Sequence, residues 1–221
     1  MPTFDESWSG RLRIIGELER PDHWHLTADD NCAFFGEYTA RAGWGHSSTN
    51  QLILNLKKKP ELAGTQQYAY KTQAIRDIAT ALKANLDPAA FPGLVVTPVP
   101  PSKAPGATGY DDRMARVARL IDPAIDVREV LVTAVERDAM HAQNAHRDPQ
   151  ALRDSLAFRP ELIASPPRQV LLLDDVVTTG CSFRVCKRMI GEIWPDAQVY
   201  GVFVARRVID RGTDFDALEW D

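Results

Sequence analysis

The sequence predicts an α/β protein with a central, mainly parallel sheet flanked by helices, and with an N-terminal hood, or cap. Two observations support this prediction. An uninterrupted apolar run, residues 170–173, leads into two acids, Asp174 and Asp175, and such a run is typical of a strand buried on both faces of a parallel sheet. Strand-like runs also alternate with amphipathic helical patterns over residues 94–205, as they do in α/β folds.

The composition is that of an ordinary globular protein. The chain has 221 residues, of which 44% are hydrophobic and 25% are charged, enough for one core with an elaboration. A net charge of −4 and a pI near 5.8 do not indicate nucleic-acid binding, which needs clustered Lys and Arg. No apolar run approaches the ~20 residues of a membrane span, and the first residues lack the apolar core of a secretory signal. We therefore expect a cytoplasmic protein that does not bind membranes.

Residues 1–90 are predicted to form the hood and residues 91–221 the sheet domain, because the only plausible boundary lies near residues 87–93. The hood contains strand-like segments at 12–17 and 33–39. His23, His25 and Cys32 offer soft metal ligands, but without a second pair at zinc-finger spacing. We favour solvated or hydrogen-bonded side chains over a structural zinc site. The three cysteines, Cys32, Cys181 and Cys186, do not form a disulfide framework, because their number is odd.

Two helices are predicted within the hood. The first begins at a serine cap, Ser47 or Ser48, and ends in three lysines, residues 57–59. Cations stabilise the C-terminal end of a helix dipole, and that role alone explains the lysines without a nucleic-acid patch. The second helix carries apolar residues spaced for one buried stripe: Ala74, Ile75, Ile78, Ala79, Leu82 and Leu86.

The sheet domain is predicted to begin with a strand at 94–100, whose prolines lie at its end, where ladder donors are no longer needed. A helix follows, and its apolar face consists of Tyr110, Met114, Val117, Ala118 and Ile121. With a next strand at 129–133, this order predicts a parallel, right-handed βαβ unit. A last buried strand is predicted at 198–205, and nothing places the tail beyond it.

The stretch 135–159 is polar and lacks periodic apolar residues, apart from a short helical segment at 149–156. Two interpretations stay open. Long polar loops in compact domains are often lids over ligand sites, and here residues 137–147 would form that lid. The alternative is a disordered excursion.

The residues after the apolar run predict an anion site. Asp174 and Asp175 fall at the carboxyl end of the predicted strand, where open α/β sheets bind ligands. A small, polar loop then leads directly into a helical pattern, so that backbone N–H groups, the helix dipole and hydroxyls converge. The loop consists of Val177, Thr178, Thr179, Gly180, Cys181 and Ser182. The carboxylates suit sugar hydroxyls or a divalent cation reached through water. An ordinary capped helix would leave two acids at a buried strand end unexplained.

Residues 170–182 resemble the ribose-phosphate signature of type I phosphoribosyltransferases: four apolar residues, two acids and a Thr/Gly-rich loop. The resemblance implies a type I phosphoribosyltransferase-like fold. It also implies that Asp174 and Asp175 face the ribose 2- and 3-hydroxyls of phosphoribosyl pyrophosphate, or of a nucleoside monophosphate, while residues 177–182 surround the 5-phosphate. The same two acids would hold Mg²⁺ indirectly, through water or the ribose hydroxyls.

Three further stretches, at 99–103, 110–113 and 204–206, look like those of the ComF-like branch of this family, whose members are tied to DNA uptake. Including the signature, the resemblance covers residues 94–207. It implies that Ser102 and Lys103 contact the pyrophosphate. A lysine and Mg²⁺ would neutralise the charge that accumulates on this leaving group.

The chain also departs from these relatives. The four-cysteine zinc module of ComF-like proteins is absent, because Cys32 is the only cysteine in the first ninety residues. The pattern of their mobile loop is matched only loosely, by Gln143, Arg147 and Arg153. Hypoxanthine-type salvage enzymes carry an acid where Thr178 stands, which disfavours their substrate.

These observations predict a phosphoribosyltransferase that transfers ribose 5-phosphate to an unidentified acceptor, with Lys103, Asp174 and Asp175 as catalytic residues. The alternative is a non-catalytic sensor or adaptor that binds phosphoribosyl pyrophosphate or a nucleotide and is linked to DNA uptake or defence. Similar proteins are commonly dimers. We therefore expect a homodimer, with Trp44, Trp194 and Trp220 as candidate interface anchors.

Overall fold

The computed structural model describes residues 8–135 and 148–208. The strands are β1 (Arg13–Ile14), β2 (Asn31–Thr39), β3 (Leu94–Pro98), β4 (Asp126–Val127), β5 (Leu131–Thr133), β6 (Leu156–Phe158), β7 (Gln169–Val177) and β8 (Gln198–Val208). The helices are α1 (Ser48–Leu56), α2 (Gln66–Asn85), α3 (Arg113–Ile121), α4 (Pro149–Asp154) and α5 (Cys181–Ile193). Ser47 caps α1, and its hydroxyl accepts a hydrogen bond from the backbone N–H of Asn50.

A six-stranded sheet with the order β1-β2-β8-β7-β3-β4 forms the centre of the fold. Every neighbouring pair is parallel except β1 and β2, which are antiparallel. The predicted α/β class, with a mainly parallel sheet flanked by helices, is therefore confirmed.

Strand β7 is buried on both faces, as its apolar run predicted. Side chains alternate along a strand, so Leu171 and Leu173 pack in the core formed with α1, α2 and α3. Val170 and Leu172 pack on the opposite face, in the core that includes α5 and Leu152 of α4. The strand lies between β3 and β8 and contributes to both cores.

The first ninety residues belong to the sheet as well as to its cover. They supply strands β1 and β2, and β2 pairs with β8 from Asn31 to Thr39. Phe35 of β2 and Ile78 of α2 lie in the same core as Leu171 of β7. The position between residues 90 and 91 therefore does not separate two hydrophobic cores.

The βαβ prediction was wrong in the identity of its second strand. The strand that follows α3 and pairs parallel with β3 is β4, whereas β5, within the predicted strand 129–133, pairs antiparallel with β6 in a separate sheet. The chain leaves the central sheet after Val127. Arg128 donates its N–H to the carbonyl of Val96, and the Thr133 hydroxyl donates to the carbonyl of Pro101.

Two smaller expectations also differ from the structure. Tyr110 was placed on the face of α3, but that helix begins at Arg113, after Asp112 at its N-cap. Strand β6 lies inside the stretch 135–159, for which no strand was predicted. The predicted lid, residues 137–147, lies outside the described residues, as does the C-terminal tail.

The prediction of Trp194 as an interface anchor, one of three such tryptophans, was wrong. Its side chain is only 1% exposed and lies in the core, and its indole N–H donates to the carbonyl of Ile163 at 2.9 Å. Trp44 is 43% exposed, and Trp220 lies outside the described residues. No helix in the described part of the chain has both the length and the apolar character needed to cross a membrane.

Candidate functional site

Asp174 and Asp175 lie where one neighbour of β7 has ended. The last residue pair between β3 and β7 is Pro98 with Leu173, so both acids lie beyond the carboxyl end of β3. Strand β7 itself continues to Val177, because β8 pairs with it that far. The acids therefore lie at the carboxyl edge of the sheet, as predicted, on the side of β3. On the side of β8 they do not, because β7 continues beyond its apolar run.

Asp175 is an ionised, buried acid held by two cations. It is 6% exposed, and Arg113 donates to its Oδ2 from Nε at 3.0 Å and from Nη2 at 2.5 Å. The Nζ of Lys57 lies 3.3 Å from the other oxygen, Oδ1. Burial alone would raise the pKa of Asp175, but Lys57 and Arg113 outweigh it and lower that pKa below its usual value.

Asp174 has the opposite environment. Its side chain is half-buried, and its Oδ1 accepts a hydrogen bond from the backbone N–H of Asp175 at 2.8 Å. Burial, together with the neighbouring charge of Asp175, raises the pKa of Asp174 to about 7. Two adjacent carboxyls with pKa values shifted in opposite directions can play different chemical roles, as donor and as acceptor, near neutral pH.

The loop after β7 turns directly into helix α5 at Gly180. Gly180 caps helix α5 with a φ of 82°, a conformation that favours glycine. A Cβ at this position would lie 2.6 Å from Cγ of Leu26, so the close approach of the two segments also requires glycine. The first backbone N–H groups of a helix have no partner within that helix, and the helix dipole favours negative charge there.

The predicted loop residues do not all offer side chains to a ligand. Val177 and Cys181 are buried in the core, so they contribute backbone groups alone. The Thr179 hydroxyl is also buried and accepts from the N–H of Cys181 at 3.3 Å. Thr178 is exposed and Ser182 is half-buried, and these two hydroxyls remain the accessible ones.

The N-terminal segment is hydrogen-bonded to this loop. The His23 ring donates from Nδ1 to the carbonyl of Thr178 at 2.5 Å, and the backbone N–H of His25 donates to the carbonyl of Thr179 at 2.9 Å. His23 is fully buried, and burial lowers its pKa, which favours the neutral ring. The favoured interpretation of a hydrogen-bonded histidine is confirmed for His23, but its contact with the loop was not predicted.

A cationic cavity of about 200 Å³ is lined in part by Lys57 and Arg113, the two cations that hold Asp175. Its lining consists of Lys57, Lys59, Pro60, Pro101, Ser102, Lys103, Gly109, Asp111 and Arg113. The structure thus brings the predicted pyrophosphate residues, Ser102 and Lys103, next to the two cations that hold Asp175. Helix α1 ends at Leu56, so the interpretation of the lysine run as a helix-end feature alone is incomplete.

A buried ion-pair chain fixes Arg113. The guanidinium Nη1 donates to Oδ2 of Asp111 at 2.8 Å, and Lys71 donates to the same oxygen at 2.6 Å. Lys71 is fully buried and also donates to the carbonyl of Lys58 at 2.7 Å. One signal could have identified Lys71: it lies three and four residues before Ala74 and Ile75, on the apolar stripe of α2.

The two acids supply oxygen atoms of the kind that could take part in holding Mg²⁺. Mg²⁺ takes hard oxygen donors and usually combines one or two carboxylates with phosphate oxygens of a substrate. Within residues 8–135 and 148–208, no group of three or more His, Cys, Asp or Glu side chains is placed to hold a metal ion. Arg113 and Lys57 already contact the two oxygens of Asp175, so a metal ion at these acids would have to share or displace those contacts.

No protein-family model matches the chain, and a search of curated proteins finds no match. The features of the molecule that bear on its function are the two acids, the Gly180 loop and the cationic cavity.

Proposed function

We propose that the protein is a phosphoribosyltransferase, which uses Mg²⁺-phosphoribosyl pyrophosphate to transfer ribose 5-phosphate to an acceptor. One observation carries the proposal: three kinds of group follow one another at one edge of the sheet. Lys57 and Arg113, which line the cationic cavity with Lys103, pair with Asp175, and the Gly180 loop begins three residues after that acid, at Thr178. This order matches a diphosphate, a sugar with free hydroxyls and a terminal phosphate.

The reaction breaks the bond between the anomeric carbon and the pyrophosphate oxygen, and both bonding electrons leave with the pyrophosphate. The acceptor then donates an electron pair to the anomeric carbon and loses its proton. Lys103 stabilises the charge on the leaving group, and the loop 177–182 holds the 5-phosphate, so the ribose stays in line between the two. Asp174 and Asp175 orient the ribose hydroxyls. Mg²⁺ bound with these acids would supply further positive charge at the pyrophosphate.

A second candidate is a non-catalytic sensor or adaptor for the same ligand, linked to DNA uptake or defence. The ion pairs of Asp175 favour it, because Arg113 and Lys57 already neutralise this acid. A ribose hydroxyl would have to share the carboxylate with both cations. Such a site can bind a phosphoribosyl compound tightly without promoting its reaction.

Pyrophosphate release distinguishes the two candidates. The protein is incubated with labelled phosphoribosyl pyrophosphate, Mg²⁺ and a panel of bases, nucleotides and nucleic acids. The enzyme hypothesis predicts release with at least one acceptor, and loss of that release in Lys103→Ala. Lys83→Ala is the control, because Lys83 is largely exposed and pairs with Asp122 outside the site. Tight binding without release across the panel would instead support the sensor.

A further inference from the structure

The cationic cavity has more positively charged side chains than the predicted pyrophosphate-binding residues, Ser102 and Lys103, supply. Four cations line it, Lys57, Lys59, Lys103 and Arg113, against one acid, Asp111. The charge of Asp111 is already shared between Lys71 and Arg113. Lys57 and Lys59 follow helix α1 in the N-terminal segment, far in sequence from the loop that contains Lys103. Asp175 also pairs with Lys57 and Arg113, and among the described residues the cations at the cavity still outnumber the carboxylates.

The backbone that carries Lys57 and Lys59 is held in place. The carbonyl of Lys58, between them, accepts from the buried Nζ of Lys71 at 2.7 Å. The side chain of Lys58 packs on the rings of Trp44 and Tyr70, at 4.7 and 5.1 Å from their centroids. Lys58 thus serves as an anchor, whereas its two neighbours line the cavity.

Lys57 can change partners at low cost. Its contact with Asp175 is a single one of 3.3 Å, and 38% of its side chain is exposed. Arg113, in contrast, donates twice to Asp175 and also pairs with Asp111. A lysine is a flexible point charge, so Lys57 can turn from the acid to an anion in the cavity while Arg113 keeps Asp175 in place.

The cavity has room for more than one phosphate group. Its volume of about 200 Å³ is many times the ~15 Å³ that a single water needs. Several cations around such a volume fit a diphosphate, whose charge and oxygen atoms extend over two phosphorus centres. A monophosphate would contact fewer of these cations at one time.

We propose that Lys57 and Lys59 complete a diphosphate-binding site with Lys103 and Arg113, and that these two lysines set a preference for diphosphate over monophosphate. The inference rests on the proposed function, because it assigns the cavity to the leaving group of the reaction. It adds two binding residues from the N-terminal segment, outside every stretch that resembles a known family.

Calorimetric titration with inorganic pyrophosphate and inorganic phosphate, each without Mg²⁺, tests the inference. We expect the wild type to bind pyrophosphate at least about tenfold more tightly than phosphate. Lys57→Ala and Lys59→Ala should each weaken pyrophosphate binding about tenfold and phosphate binding much less. Both lysines are exposed, so the fold should persist, which circular dichroism checks. Lys57→Gln and Lys59→Gln, which keep a long polar side chain, should show the same loss, and Lys83→Ala should show none.

The inference is overturned if the lysine variants bind pyrophosphate like the wild type, or if the wild type does not bind it. Its failure is distinguishable from failure of the proposed function, because the titration needs no turnover. If the variants keep the wild-type affinity for pyrophosphate and the wild type releases pyrophosphate with an acceptor, the roles of Lys57 and Lys59 are rejected and the enzyme hypothesis is kept. If the variants lose affinity for pyrophosphate but the wild type shows no turnover, the diphosphate site is supported and the enzyme hypothesis is rejected.

Discussion

The backbone N–H of Asp175 donates a 2.8 Å hydrogen bond to Oδ1 of Asp174, yet the two neighbouring carboxyls have pKa values shifted in opposite directions. Arg113 and Lys57 hold Asp175 as an ion, and that charge, together with burial, keeps Asp174 protonated up to a pH of about 7. Asp175 is therefore tied to its surroundings by ion pairs, whereas the charged form of Asp174 is unfavourable in the folded protein.

Asp174→Asn is expected to stabilise the protein above neutral pH. A carboxyl with a pKa of about 7 in the folded state favours folding while it is protonated, and this contribution disappears as the pH rises through 7. Asparagine resembles the protonated acid at every pH. The difference in free energy of unfolding between the variant and the wild type should therefore be about 2 to 3 kcal/mol more favourable to the variant at pH 8 than at pH 5. Urea unfolding at both pH values measures this, and equal differences would contradict the assigned shift.

Asp175→Asn is expected to have the opposite effect. It removes the carboxylate that accepts two hydrogen bonds from Arg113, a guanidinium with only 22% of its side chain exposed. The cost should be about 2 to 4 kcal/mol at pH 7. Because the pKa of Asp175 is lowered by folding, this stabilisation is present above the unfolded value and is lost as the pH falls below it.

The control for Asp175→Asn is Asp126→Asn. Asp126 pairs with Arg128 at the surface, where 47% of the acid's side chain is exposed. We expect that change to cost less than about 1 kcal/mol. Equal losses of unfolding free energy in the two variants would show that the pairing of Asp175 with Arg113 does not stabilise the fold.

Gly180→Ala is expected to disrupt the anion loop. The φ of 82° is strained for alanine, and the added Cβ would lie 2.6 Å from Cγ of Leu26. We expect a loss of at least about 1 kcal/mol of stability and weaker binding of ribose 5-phosphate, measured by calorimetry. Gly191→Ala is the matched control in the same helix, because its Cβ would meet no atom within 4 Å. That change should stabilise the helix by up to about 1 kcal/mol. Ribose 5-phosphate binding that survives Gly180→Ala unchanged would argue against the loop as the phosphate site.

Lys71→Met is expected to destabilise the fold and also weaken the anion site. The substitution keeps a long apolar side chain but removes the charge that pairs with Asp111 and supports the carbonyl of Lys58. The cost should be about 3 kcal/mol, because one partner of a buried pair is removed. Chemical denaturation measures it, with Lys83→Met as the surface control. A variant as stable as wild type would show that the chain from Lys71 to Arg113 does not hold the site together.

The elements of the sheet domain were predictable where a local pattern determines them. The apolar run before Asp174 required burial on both faces, and the structure shows that burial for Leu171 and Leu172. The small residues around Gly180 required a tight turn into a helix, and α5 begins at Cys181. In both places the signal lies within a few adjacent residues, so periodicity and turn chemistry suffice.

The partners of the acids were not predictable, because the contacts join distant segments. Arg113 is 62 residues from Asp175, and His23 is 155 residues from Thr178. No local pattern shows which side chains meet at that range. The strand at 129–133 was assigned to the wrong sheet for a similar reason: its β propensity was correct, but pairing of β5 with β6 depends on a segment that carries little apolar periodicity.

Calorimetric titration with phosphoribosyl pyrophosphate, with and without Mg²⁺, is the most direct test of the central claim that this edge of β7 binds a phosphoribosyl compound. Replacement of both acids, Asp174→Asn and Asp175→Asn together, removes charge near the ribose hydroxyls and the metal while it keeps side-chain shape. We predict that the wild type binds the compound in a Mg²⁺-dependent manner, and that the double variant binds it more weakly and with less dependence on Mg²⁺. Unchanged binding in the folded double variant, or no binding by the wild type, would contradict the account.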